Sequence, residues 1–201
     1  MKATVCIVPY NNNVKFLDIL DRVLEADGKF NVIVVDNNKH PVLRSVLDDY
    51  PIKYVNNGNK GQLAGACNLA VSMTDTEYFI YVCSNHTEIF FNSWLDDMVS
   101  AMDISGVAIG GTVSLVRRGQ DHVQGGVFIA RTEILKEIPY DSINYPFTFM
   151  DVYLSNKIKE AGYEFLDIPI VHSVMGKPRR RNHQKIVHAH IFEYNRRGQI
   201  I

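Results

Sequence analysis

The chain alternates short, almost unbroken apolar runs with stretches in which apolar residues recur every three or four positions. Residues 3–8 (ATVCIV), 32–35 (VIVV), 52–55 (IKYV) and 78–82 (YFIYV) have the length and composition of buried strands. Between them lie helical patterns. Leu17, Leu20 and Leu24 follow Asn11 to Asn13, residue types that cap a helix. Residues 41–50 predict a short helix, and residues 63–73 a longer one after the turn NNGNKG. Trp94, Leu95, Met98, Val99 and Met102 mark a further helix. Strand and helix alternate, and the strands carry no polar face. That order predicts a parallel sheet covered on both sides.

The second half is less regular. GVAIGG and GGVFIAR predict strands with close backbone approaches at their glycines. A helix is expected over 151–161 and a last strand over 165–171 (FLDIPIV). From Met175 the sequence turns polar and basic, as GKPRRRNHQK. No internal repeat or domain linker interrupts the pattern.

In an open parallel sheet, ligands bind beyond the carboxyl ends of the strands. Here those ends run into Pro9, Tyr10 and Asn11; into Asp36, Asn37 and Asn38; into Asn56, Asn57 and Gly58; and into Ser84, Asn85 and His86. Such ends can line a hydrogen-bonding pocket for a polar ligand such as a nucleotide, or they can be solvated loops. Neither GxGxxG after the first strand nor GxxxxGK[ST] occurs, which argues against dinucleotide enzymes and P-loop NTPases. The glycines of NNGNKGQLAG either bring backbone amides near a phosphate or only make a tight turn.

Composition narrows the class. A chain of 201 residues, 46% hydrophobic and 21% charged, suits one globular domain with a real core. A net charge of -1 gives no global attraction to nucleic acid or anionic membrane. Three cysteines, Cys6, Cys67 and Cys83, are too few and too apolar in setting for a disulfide framework, so a reducing cytoplasm is expected; the cytoplasm of an infected host would fit equally. The N-terminal apolar run is too short for a signal peptide, and no segment approaches the roughly 18 apolar residues of a transmembrane helix.

PYNNN before a helix, VIVVDNN, NNGNKGQLAGACNLAV, YFIYVCSNHT, GGVFIAR and FMDVYLSNKIKEAGYEFLDIPIVH follow one another over residues 4–172. Their order and spacing resemble the family 2-like glycosyltransferases of GT-A fold. The resemblance implies an α/β fold in a single domain: a Rossmann-like, mostly parallel central sheet with helices on both faces. It divides the chain into a domain over 1–172, with a nucleotide-sugar half (1–105) and an acceptor half (106–172), and a basic lid or tail over 173–201. It implies an enzyme that moves a sugar from a nucleotide diphosphate sugar to an acceptor hydroxyl, with inversion.

The resemblance also implies roles. Pro9, Tyr10 and Asn11 line the base pocket, and Asp36 bonds the base or ribose. Asn57, Gly58, Gln62 and Asn68 match the pattern that contacts the nucleotide and sugar. Ser84, Asn85 and His86 stand where the family has its metal-binding Asp-x-Asp. Asp151 stands at the acidic pair that supplies the general base, with Met150 in place of the other carboxylate. His172 closes the last strand near metal or diphosphate.

Two departures from the family pattern shape the chemistry. Sugar transfer needs the leaving diphosphate's charge neutralised and the acceptor hydroxyl's proton removed. In an extended segment Ser84, His86 and Glu88 would share one face. A hydroxyl, an imidazole and a carboxylate, with His172, favour a transition metal such as Mn²⁺ over ions that prefer oxygen alone. Alternatively Lys177, Arg179, Arg180 and Arg181 fold over the diphosphate and replace the metal, or they bind a phosphate-rich acceptor such as modified DNA, a glycan acceptor being preferred. A binding protein that has lost catalysis is the reading of a different class, motivated by the missing carboxylates. A nucleotidyltransferase is disfavoured by the lack of a Gly-rich basic loop after the first strand.

Overall fold

The structure, a computed structural model, describes residues 1–11, 13–84, 87–88, 92–103, 106–114, 121–147, 149–168 and 172–173. The four apolar runs form β1 (Ala3–Ile7), β2 (Phe30–Asp36), β3 (Lys53–Asn56) and β4 (Tyr78–Val82). They are linked by α1 (Asn13–Leu24), α2 (Arg44–Leu47) and α3 (Gln62–Ser72). A two-residue strand, β5 (Thr87–Glu88), precedes α4 (Trp94–Met102). The second half contributes β6 (Val107–Ser114), β7 (His122–Arg131), α5 (Thr132–Glu137), α6 (Met150–Glu160), β8 (Glu164–Asp167) and β9 (His172–Ser173).

Seven strands make one sheet in the order β3-β2-β1-β4-β7-β6-β8, and β5 pairs with β9 beside it. Four neighbouring pairs in the large sheet are parallel. The two pairs made by β7, with β4 and with β6, are antiparallel. The sheet is therefore mostly parallel, with one reversed strand joining the two halves of the chain.

Side-chain alternation explains why the strands read as unbroken apolar runs. Val5, Ile7, Tyr78, Ile80 and Val82 enter one core with Phe16 and Leu20 of α1 and Trp94 and Met98 of α4. Cys6, Phe79 and Tyr81 enter the other with Ala66, Cys67 and Ala70 of α3 and Leu154 and Ile158 of α6. Both faces are covered, so both sets of positions must be apolar. Each large side chain buried in this way stabilises the fold by about 1.5–3 kcal/mol relative to exposure. Both cores draw on both halves of the chain, so the halves do not separate. Among the described residues no helix is long and apolar enough to cross a membrane.

Several elements differ from expectation. The helix expected over 41–50 is only four residues long. Asp48 and Asp49 follow it, at the end where the helix dipole disfavours carboxylates. The strand expected over 165–171 is β8, which ends at Asp167; residues 169–171 lie outside the described residues. The helix α5 and the pair β5–β9 are too short to leave a periodic pattern in the sequence. The glycine signal in GVAIGG holds. A Cβ on Gly111 would lie 2.8 Å from Val123 Cγ1 and 2.9 Å from the Val127 carbonyl.

Candidate functional site

The chain winds β1, β2, β3 to one side and then returns to place β4 on the other side of β1. The carboxyl ends of β1 and β4 therefore flank a topological switch point, the usual place for a ligand crevice. Ser84 stands there, 1% exposed, and its hydroxyl donates to the Val8 carbonyl at 3.1 Å. This bond ties the end of β4 to the end of β1.

The ends of β2 and β3 are joined by a polar network around Asp36, which is 0% exposed. Its Oδ1 accepts from the backbone N–H and the side-chain amide of Asn38, at 3.0 and 2.7 Å. Its Oδ2 accepts from the Tyr54 hydroxyl at 2.8 Å and the Leu43 N–H at 3.4 Å. Asn38 in turn accepts the Asn11 N–H at 3.1 Å, which holds Asn11 in a left-handed conformation (φ 54°). Asn57 donates to Asn37 Oδ1 and to the Lys60 carbonyl, each at 2.8 Å. Both oxygens of Asp36 thus serve the loop itself. Asp36 organises these loops rather than presenting an open carboxylate.

The NNGNKGQLAGACN stretch is also committed to the fold. The amides of Lys60, Gln62, Ala64 and Gly65 donate to Asn57, Asn59, Pro146 and Gly61 carbonyls. These amides are therefore unavailable to a phosphate, and the tight-turn reading describes them. A Cβ on Gly65 would sit 2.1 Å from the Lys60 carbonyl, so the turn excludes any larger residue. Asn68 and Tyr140 form a reciprocal pair: Asn68 Nδ2 donates to the Tyr140 carbonyl at 2.9 Å, and the Tyr140 N–H donates to Asn68 Oδ1 at 3.0 Å. Start and middle of α3 together hold residues 140–146, the segment that leads into α6. Entry to α6 is made by Phe149 at φ 62°, an unusual conformation for a bulky residue.

Asp151 sits in the first turn of α6, with its side chain 30% exposed. It is held by an interruption of the β6–β7 ladder. Between Gly111 and Val113 β6 advances two residues, while β7 runs from Phe128 back to Val123, five residues. Residues 124–127 of β7 are left outside that ladder, and α6 supplies acceptors instead. The Gly125 N–H donates to Asp151 Oδ2 at 3.2 Å, and the Val123 N–H donates to Ser155 Oγ at 3.2 Å. Asp151 and Ser155 are one helical turn apart, so both face the strand. On its other side β7 meets the end of β4, where the Cys83 N–H donates to the Gly126 carbonyl at 2.8 Å. Asp151 is thereby fixed beside the switch point.

Two groups near Asp151 were not anticipated from the sequence. His122 Nε2 lies 3.8 Å from Asp151 Oδ2, with the imidazole 11% exposed. Tyr140 is buried, and its phenol is pushed up by burial, with Cys67 and the Asp151 charge adding to the effect. A single His at the start of an expected strand and a single Tyr before a loop give no pattern to read. Met150, expected to stand in place of a second carboxylate, is buried in the core.

The structure therefore sorts the candidates. Tyr10, 45% exposed, Asn11 and Gln62 lie open near the strand ends, and Gly58 and Asp151 are half-buried. Pro9, Asp36, Asn57 and Ser84 are buried behind them, and Asn68 is bonded to the 140–146 segment. Asn85, His86, Lys177 and Arg179 lie outside the described residues, as do the side chains of Glu88 and His172. The backbone of the last two is described: β5 and β9 are antiparallel, with Glu88 directly opposite His172. Among the described residues no three His, Cys, Asp or Glu side chains are grouped to hold a metal ion. Of the expected metal loop only Ser84 has a described side chain. Its buried, hydrogen-bonded hydroxyl suits a strand anchor better than an ion ligand.

Replacing Tyr54 by Phe removes one of the donors to buried Asp36. Urea denaturation should show a loss of about 1.5–3 kcal/mol, the worth of a hydrogen bond to a charged group. Burial, and then Asp36, raise the Tyr54 pKa. The folded value exceeds the unfolded one, so this stabilisation is complete below about pH 10 and is lost as pH rises further. The variant should lack that part of the alkaline slope.

The fold is shared with solved glycosyltransferases. The mannosyltransferase PcManGT from Pyrobaculum calidifontis, in complex with GDP-Man and Mn²⁺, superposes with a TM-score of 0.72 at 18% identity, covering 98% of this chain and 64% of that one. S. aureus TarS gives 0.65 at 17% identity, covering 84% and 35%. TarS 1-349 in complex with UDP gives 0.60 at 18% identity, covering 77% and 54%. The chain thus spans less than two thirds of the length of these neighbours. No curated protein sequence matches it significantly. The family model "Glycosyl transferase family 2" matches residues 4–150, well over half of the chain. With this match and the GT-A sheet, the chain belongs to glycosyl transferase family 2.

Proposed function

We propose that the protein transfers a sugar from a nucleoside diphosphate sugar to an acceptor hydroxyl with inversion, and that Asp151 takes the proton. The observation that carries this reading is the seat of Asp151: half-open, fixed by Gly125, beside the switch point between β1 and β4. In a single displacement the acceptor oxygen attacks the anomeric carbon as the bond to the diphosphate breaks. The acceptor proton passes to the carboxylate, and the nucleoside diphosphate leaves with the bonding electrons. A carboxylate held against a strand, with 30% of its side chain exposed, can serve as that base.

On the donor side, Tyr10, Asn11, Gly58 and Gln62 meet the nucleotide directly, with Pro9, Asp36, Asn57, Asn68 and Ser84 shaping the wall behind them. The family's acidic metal motif is absent here, so the diphosphate charge needs another partner. The reading assigns Mn²⁺, which would neutralise that charge when bound, to His86, Glu88 and His172. The support is the opposed register of Glu88 and His172 and the nitrogen-bearing donor set. Asn85, Lys177 and Arg179 complete the diphosphate contacts. The acceptor is a glycan hydroxyl in preference to modified DNA, and the setting is a reducing cytoplasm, supported by three unpaired cysteines.

A thermal-shift screen of GDP-mannose and UDP-sugars, nucleotides of the kinds held by the neighbours, identifies the donor. With that donor, Asp151→Asn should keep its dissociation constant while losing transfer and donor hydrolysis by about 10²–10⁴-fold. Donors that bind but undergo neither hydrolysis nor transfer with any metal would establish a binding protein instead.

The metal assignment has its own test. Calorimetric titration of Mn²⁺ in the presence of nucleotide should show weaker binding for His86→Ala than for wild type. Equal affinity refutes ligation by His86.

A further inference from the structure

The His122 imidazole has a place in the site that no family motif assigns to it. It opens β7, at the far side of the interruption that frees the Gly125 amide for Asp151. The residue is 9% exposed, and Nε2 lies 3.8 Å from Asp151 Oδ2. That same oxygen accepts the Gly125 N–H at 3.2 Å, while Oδ1 accepts the Val152 N–H at 2.9 Å. These two backbone bonds leave room on Oδ2 for a further donor, and an imidazole N–H there would add a side-chain restraint on the carboxylate plane. The 3.8 Å separation exceeds ordinary hydrogen-bond length, as catalytic contacts often do before substrate tightens them.

We infer that His122 is a positioning residue for Asp151, donating Nε2–H to Oδ2 so that the carboxylate keeps its open lone pairs toward the acceptor hydroxyl. The inference rests on the reading of Asp151 as general base. Three features make the role specific. The imidazole is walled in, so it cannot swing into solvent. The strand that carries it also carries Gly125, so both partners of Oδ2 come from one rigid element. The helix that carries Asp151 is docked to that strand again by Ser155 on the Val123 amide, which fixes the spacing of the pair. Buried Tyr140, whose phenol is pushed up by burial and also feels the Asp151 charge, keeps its proton and adds no charge. The Lys159 amine is engaged with the Asp121 carbonyl at 3.0 Å.

The first test needs no substrate. Long-range ¹H–¹⁵N spectra of the holoprotein, with the signal assigned by its loss in His122→Gln, should show the proton on Nε2. Asp151→Asn should shift that nitrogen. A proton on Nδ1 alone, or a signal indifferent to Asp151→Asn, overturns the inference.

The second test uses the donor retained by the thermal-shift screen. His122→Leu should keep the donor dissociation constant and lower kcat about 10–100-fold, the scale of a misplaced catalytic group. His122→Gln, which keeps an N–H donor, should recover most of the loss. Melting temperatures of both variants separate this from unfolding. A wild-type rate in Asp151→Asn refutes the base assignment and this inference with it. An inactive Asp151→Asn beside a His122→Leu of wild-type kcat refutes the role of His122 alone.

Discussion

One backbone irregularity organises the site. Where β6 advances two residues and β7 five, the Gly125 N–H is left facing α6 rather than a strand. That half-buried amide, turned away from the ladder, needs an acceptor. The carboxylate of Asp151 meets that need and is fixed in doing so. Bulges re-aim side chains next to active sites, and this one lies just past the point where β4 ends. The close approach of Gly111 to Val123 and the Val127 carbonyl lets the two strands rejoin on either side of the interruption.

The opposite wall is built by a different economy. Asp36 gathers Asn38, Leu43 and Tyr54 around one buried carboxylate, and Asn37 and Asn57 extend the network to the turn after β3. Its product is a rigid rim carrying Tyr10, Asn11 and Gly58. Low-dielectric networks of this kind specify one arrangement when fully satisfied. The start of α3 holds residues 140–146, and these lead through Phe149 to Asp151. The Asp36 network and the proposed base are therefore linked through α3, although Asp36 and Asp151 are 115 positions apart in the sequence.

The strand runs and their polar ends could be read from the sequence because both faces of β1, β2 and β4 are covered, which leaves no polar alternation to confuse them. Asp151 was singled out only through the resemblance to a family pattern, and its seat against Gly125 had no signal of its own in the sequence. The functions of Asp36, Asn57 and Asn68 within the fold could not be read. An Asn that caps a distant carbonyl looks the same in sequence as one that binds a sugar. His122 was missed for a related reason: its partner is 29 positions away, and only the interruption in β7 brings the two together. The pair β5–β9 is two residues long on each side, below any periodic signal, yet it aligns Glu88 with His172.

The central claim is that the crevice at the ends of β1–β4, closed by α6, is the nucleotide site. Amide chemical-shift mapping with GDP and with UDP tests it most directly. One of the two nucleotides should perturb Asn11, Asn38, Gly58 and Gly125, while Lys2, Phe30 and Glu77 at the opposite edge of the sheet stay unchanged. Perturbations confined to that opposite edge, or spread without focus at the strand ends, would contradict it.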